Sequence, residues 1–161
     1  MKIIPIILLF FSFAYTQNIN LYLTLIEKGR YEEVRENIPD LLSRYPNEPG
    51  VKYIQALINN DGDASLAQYK KVIENFPDSE FASQSSIKIG EYLFARGLYS
   101  QASAQLKKSI LDYPKSDFHQ RALDLMINSY IATGEKDSAR ISLALISDLY
   151  PKLDYKKYNL G

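Results

Sequence analysis

Apolar side chains recur at steps of three and four in three stretches of the chain. They are Tyr31, Val34, Ile38, Leu41 and Tyr45; Tyr99, Ala102, Leu106, Ile110 and Tyr113; and Ala139, Leu143, Ile146 and Tyr150. That spacing keeps each set on one stripe of a 3.6-residue helix and leaves Glu32, Glu33, Gln105, Lys107 and Asp148 outside it. A glycine precedes and a proline closes each stretch. Four aromatic–proline pairs, Tyr45-Pro46, Phe76-Pro77, Tyr113-Pro114 and Tyr150-Pro151, are spaced 31, 37 and 37 residues apart, and Gly29, Gly62, Gly97 and Gly134 precede the prolines by 17, 15, 17 and 17. Glycine suits the positive φ that ends one helix, and proline forces its predecessor out of helical geometry and stops the next. The same two-helix piece is therefore predicted four times, over residues 17–46, 47–77, 78–114 and 115–151.

After two of the prolines, Asp78-Ser79-Glu80-Phe81 and Lys115-Ser116-Asp117-Phe118 offer an oxygen to cap the next helix, then an aromatic anchor. These helices are predicted to run to about Arg96 and Thr133, with Ile87, Tyr92 and Leu93 packing in one and Ala122, Leu125, Met126 and Tyr130 in the other. The first helix of the second piece, roughly 49–60, is stunted, and Pro39 is expected to kink its helix because an interior proline costs about 3 kcal/mol. No strand-like alternation occurs. The expected fold class is all-α.

Gly90 and Ala102 stand 24 and 12 residues before Pro114, and Gly97-Leu98-Tyr99-Ser100-Gln101-Ala102 links the two helices. In these features residues 17–151 resemble the tetratricopeptide repeat family, best over 79–151. The Pro-x-Ser-x-aromatic junctions resemble a narrower branch, that of the periplasmic Tol–Pal-associated cell-division coordinator and the outer-membrane-assembly lipoprotein. Small residues at the helix crossing allow close approach; Gly90, Ala102 and Ala139 fit, whereas Tyr22, Val34 and Ile127 depart from the pattern. A single helix pair cannot bury its apolar face, so the repeats are expected to stack into an α-α superhelix, a solenoid of about four helix-turn-helix units. The resemblance implies that the first helix of each repeat lines a groove, which would place Gln84, Ile87, Glu91, Phe94, Arg121, Asp124, Asn128 and Ile131 on it. That mixed polar and apolar strip suits an extended peptide or a partner helix. It lacks the Lys/Asn/Arg clamp of the cytosolic chaperone adaptors.

The chain begins Met1-Lys2, continues apolar from Ile3 to Phe11 and closes on Ser12-Phe13-Ala14. One cation, an apolar run and a small terminal residue lay out a signal peptide cut before Tyr15. A buried N-terminal helix or an uncleaved anchor are the alternatives; the run is shorter than the roughly 20 residues of a membrane span. No cysteine follows it, so no lipid can be attached there. Export to the periplasm is the expectation, with no integral span once the segment is removed. Residues 152–161 read as a frayed tail or as the start of a capping helix.

Composition narrows the chemistry. The 161 residues suit one domain, with 19 Lys+Arg balancing 19 Asp+Glu, so no bulk charge draws the chain to nucleic acid. Tyr155, Tyr158 and the three tail lysines are too few for a single-strand stacking platform. There is no cysteine and one histidine, His119, which reads as a surface or cap residue. Asn59-Asn60-Asp61-Gly62-Asp63 fails as a calcium loop: with Gly62 sixth, Leu57 and Gln68 fall where carboxylates belong. An inter-helix turn with Asp63 as N-cap fits better. Glu32 and Glu33 point about 100° apart on a helix and do not converge on one atom, and the serines lack a histidine to activate them. Tyr45, Tyr99, Tyr113 and Tyr130 are expected in the core. No catalytic residues, cofactor or metal are expected. The functional expectation is a non-enzymatic protein-interaction scaffold or adaptor of the bacterial cell envelope, binding a protein or peptide partner. An outer-membrane assembly factor and a regulatory subunit of an enzyme complex remain as alternatives, and a homo-oligomer stays open.

Overall fold

The computed structural model describes residues 19–158; the proposed signal segment and residues 159–161 lie outside them. Eight helices and no strand occur among the described residues: α1 (19–27), α2 (Tyr31–Arg44), α3 (Pro49–Leu57), α4 (Gly62–Asn75), α5 (Glu80–Ala95), α6 (Tyr99–Asp112), α7 (His119–Thr133) and α8 (Lys136–Leu149). The chain divides into two compact units within α4, one ending at Gln68 and the other beginning at Tyr69.

The punctuation works as its chemistry dictates. α2, α4, α6 and α8 each end two residues before a proline. Gly29, Gly97 and Gly134 have φ of 75°, 73° and 76°. At the second of these turns Leu98 N–H bonds the Leu93 carbonyl and Gly97 N–H the Phe94 carbonyl, both at 2.9 Å, a Schellman closure that satisfies the last carbonyls of α5. Gly62 differs from the other three. It opens α4 without a positive φ, because Asp61, not Asp63, caps that helix by accepting from the Asp63 and Ala64 N–H groups at 2.9 and 3.1 Å. Ser79 caps α5 through the Ala82 N–H at 3.1 Å. Ser116 instead accepts from Phe118 N–H in the preceding turn, so α7 starts at His119 without a side-chain cap. α2 runs unbroken through the exposed Pro39.

In the first unit α2 packs on α3, and Val34, Leu41, Val51 and Ile54 are buried. Arg35 donates from α2 to the Ile58 carbonyl at 3.1 Å and so caps the end of α3.

In the second unit α6 lies between α5 and α7, with α8 against α7. Leu106, Ile110, Leu123, Met126, Ile127 and Ile146 are fully buried. At Gly90 a Cβ would come within 2.5 Å of Leu106 Cγ and Cδ2, so the α5–α6 crossing is as close as the small residue permits. Of the four tyrosines expected in the core only Tyr130 is buried; Tyr45, Tyr99 and Tyr113 are half-buried, their rings reaching the surface at helix ends. His119 is not at the surface. It is buried, 4.2 Å from the Tyr150 ring, with Nε2 2.8 Å from the Tyr113 carbonyl at the end of α6. Cap describes its role, because it satisfies a helix-terminal acceptor.

Residues 151–158 form turns and no helix. Nor do they fray: Leu153, Tyr155 and Tyr158 pack on the core, and the Tyr155 hydroxyl donates to the Tyr150 and Ile146 carbonyls at 2.8 and 3.2 Å. Those bonds satisfy the end of α8 and fix the tail as a turn.

Candidate functional site

α5 and α7 both present side chains to a cavity of about 350 Å³ lined by Glu91, Phe94, Arg121, Asp124, Leu125 and Asn128. Five of these were expected from the repeat register; Leu125 was assigned to packing alone and contributes to both. The other three expected residues go elsewhere. Ile87 is buried in the core, Gln84 lines a cleft of about 520 Å³ between the two Pro-x-Ser-x-Phe junctions, and Ile131 stands exposed on α7 without lining the cavity. At about 100° per residue, positions 84, 87, 91 and 94 all fall within about 80° on one face of α5. The difference therefore lies along the helix: the lower turns meet the junction cleft and the core, and only the upper turn meets the cavity.

Charge in the cavity is paired. Lys88 Nζ lies 2.9 Å from Glu91 Oε2, and Arg121 Nε lies 2.6 Å from Glu91 Oε1. The latter contact is Coulombic rather than a hydrogen bond, since Oε1 is buried and receives no aligned N–H. Tyr69 of α4 lies close enough to feel Glu91; burial first, and then that charge, push its phenol well above the ordinary value.

Asp124 is where the tail meets the cavity. It accepts from Lys157 Nζ at 2.7 Å, from Gln120 Nε2 at 3.0 Å and from the Tyr158 hydroxyl. Gln120 Oε1 in turn accepts the Asp154 N–H at 2.7 Å. Burial raises the Asp124 pKa, but hydrogen bonds from Lys157, Tyr158 and Gln120, with the Lys157 charge, outweigh it, and the carboxyl sits below its ordinary value. Tyr158 moves up, through burial and through donating to that carboxylate. The sequence carried a faint signal for this clasp, two tyrosines three apart among lysines, but nothing in it named Asp124 as their partner.

Chemically the site offers a ring and an aliphatic side chain (Phe94, Leu125), an exposed amide (Asn128), and charges of both signs. Among the described residues no cluster of His, Cys, Asp or Glu is arranged to hold a metal, and no helix is long and apolar enough to cross a membrane.

Helical hairpins joined at Gly turns and closed by prolines are the tetratricopeptide kind of fold, and known structures agree. A MamA RS-1 ArsTM double mutant matches with a TM-score of 0.60 at 18% identity, covering 82% of this chain and 72% of that one. TTC0263, a thermophilic TPR protein of Thermus thermophilus, matches with a TM-score of 0.58 at the same identity and coverage. No family model and no curated protein matches the sequence. At such identity the likeness establishes the fold: all-α, of the tetratricopeptide-repeat kind.

Proposed function

We propose that this chain is a non-enzymatic interaction scaffold that holds an extended peptide or a partner helix in the α5–α7 groove. The observation that carries the reading is the convergence of Glu91, Phe94, Arg121, Asp124 and Asn128 on one open cavity. An aromatic wall beside a donor–acceptor amide serves a peptide well: a side chain seats on Phe94 and Leu125 while Asn128 pairs with main-chain groups. Because Glu91 and Asp124 already have cationic partners, selectivity comes from shape and from this amide more than from net charge.

Peptides selected from a displayed random library against the purified chain test this. Phe94→Ala and Asn128→Ala should each weaken the selected peptides about tenfold, with helicity unchanged, as expected for truncation at a pocket centre. Peptides that bind both variants at full strength would place the interaction elsewhere.

The cellular setting rests on residues 1–14. In our reading they direct export, and the partner belongs to bacterial envelope assembly or division machinery, as the Pro-x-Ser-x-aromatic junctions suggest. N-terminal sequencing of the protein from a periplasmic fraction should begin at Tyr15. A chain that keeps Met1 in the cytosolic fraction would overturn export.

A further inference from the structure

The second helix of each repeat has a solvent-facing row at ten, six and two residues before its proline. In α2 this row is Glu36, Asp40 and Arg44; in α4 it is Ala67, Lys71 and Asn75; in α6 it is Ala104, Lys108 and Asp112. All nine residues are exposed, and Arg44–Asp40 and Lys108–Asp112 form ion pairs along it. In α8 the same row is Ile141, Leu145 and Leu149, exposed by 68%, 42% and 53%. Stacking of repeats leaves this row in water elsewhere, so a further repeat is not what it awaits. Three aligned aliphatic side chains at i, i+4 and i+8 form a continuous apolar strip facing solvent.

We propose that this strip of α8 is a self-association surface on which a second copy of the chain docks antiparallel about a two-fold axis. The flanking residues favour a second copy. Beside the strip run Arg140, Ala144 and Asp148, all exposed. Reversing α8 against itself sets Arg140 of each copy opposite Asp148 of the other, with the small Ala144 on its counterpart near the axis. The same operation places Ile141 opposite Leu149 and brings the two Leu145 side chains together. A two-fold contact must be complementary to itself, and this arrangement of charges is. Arg140 Nη1 also lies 2.7 Å from Asp137, which is 90% exposed, and exposed ion pairs of this kind contribute little. The flanks carry both signs, which does not suit an anionic lipid surface. The strip lies on α8, apart from the α5–α7 groove, so the pairing and peptide binding are separable.

Sedimentation equilibrium of the purified chain over a wide concentration range tests the proposal. A reversible dimer is expected. Leu145→Glu should weaken it by more than about tenfold, because a carboxylate would be buried twice across the axis. Helicity should stay the same, and so should Tm at concentrations where both proteins are monomeric, since the side chain is exposed in the monomer. Arg140→Asp and Asp148→Arg should each weaken the dimer on their own, and an equimolar mixture of the two should pair again as a heterodimer. A chain that stays monomeric throughout overturns the proposal. So does a dimer indifferent to Leu145→Glu, or a mixture that pairs no better than its components.

Discussion

The hairpins α5–α6 and α7–α8 share one register, offset by 37 residues, yet they solve the same crossing in opposite ways. In the first, Gly90 withdraws its side chain and Leu106 is fully buried against the vacated space. In the second the corresponding residues are Ile127 and Leu143. Ile127 takes the fully buried place and Leu143 is left half-buried. Volume at the crossing is thus supplied from one side or from the other. The consequence is structural: α6 packs along both α5 and α7, whereas α8 touches α7 over a much shorter stretch. The gap in contact at the end of the fold is made up by Leu153, Tyr155 and Tyr158 of the tail. A repeat that departs from the small-residue rule is here completed by a segment outside the repeats.

Truncating Ile127 breaks the second solution most directly. Ile127→Ala empties a fully buried site and should cost about 2–5 kcal/mol in denaturant unfolding, as large-to-small core changes do. Gly90→Ala attacks the first solution from the opposite direction, by overpacking. Its cost should be about 1–3 kcal/mol from the forced shift of Leu106, offset by up to about 1 kcal/mol of helix propensity. In a Leu106→Ala background that overpacking penalty should vanish, and a double-mutant cycle reads the coupling.

The tail gives smaller effects. Tyr158→Phe removes the hydroxyl that donates to Asp124 and should cost about 1 kcal/mol, with increased hydrogen exchange across 151–158 and little change in α5–α6. pH sharpens the point. The Asp124 carboxyl is lowered in the folded state, so its contribution is complete above the ordinary value of 3.8 and is lost as pH falls through the lower folded value. Tyr158 is raised, so its phenol keeps the proton up to the ordinary value of 10.0, and that contribution is lost at still higher pH. Ring resonances of Tyr158 should therefore report a tail that is docked between these limits and loosens in acid. Asp124→Asn should remove the acid transition; a transition that persists there would assign it to another group.

Periodicity and punctuation were enough to read the helices, because a 3.6-residue stripe, a positive-φ glycine and a helix-stopping proline are local requirements. They set α2 and α6 almost to the residue and α8 at its end, though not at its start three residues before Ala139. The register brought Glu91, Phe94, Arg121, Asp124 and Asn128 close to their observed face. Cap identity was harder to read. Asp61 and Asp63 offer the same chemistry two residues apart, and only the path of the turn decides between them. His119 was misplaced for a related reason: a lone polar ring becomes a buried cap only when another helix ends beside it.

The sequence by itself determined that this chain is a series of helical hairpins with no thiol and a single histidine, since backbone geometry and residue inventory act without regard to distant neighbours. Tertiary structure decided how deep each side chain lies, which carbonyl each tyrosine reaches, and that Asp124 belongs to both groove and tail. Those outcomes depend on packing distances between segments tens of residues apart, which linear spacing does not encode.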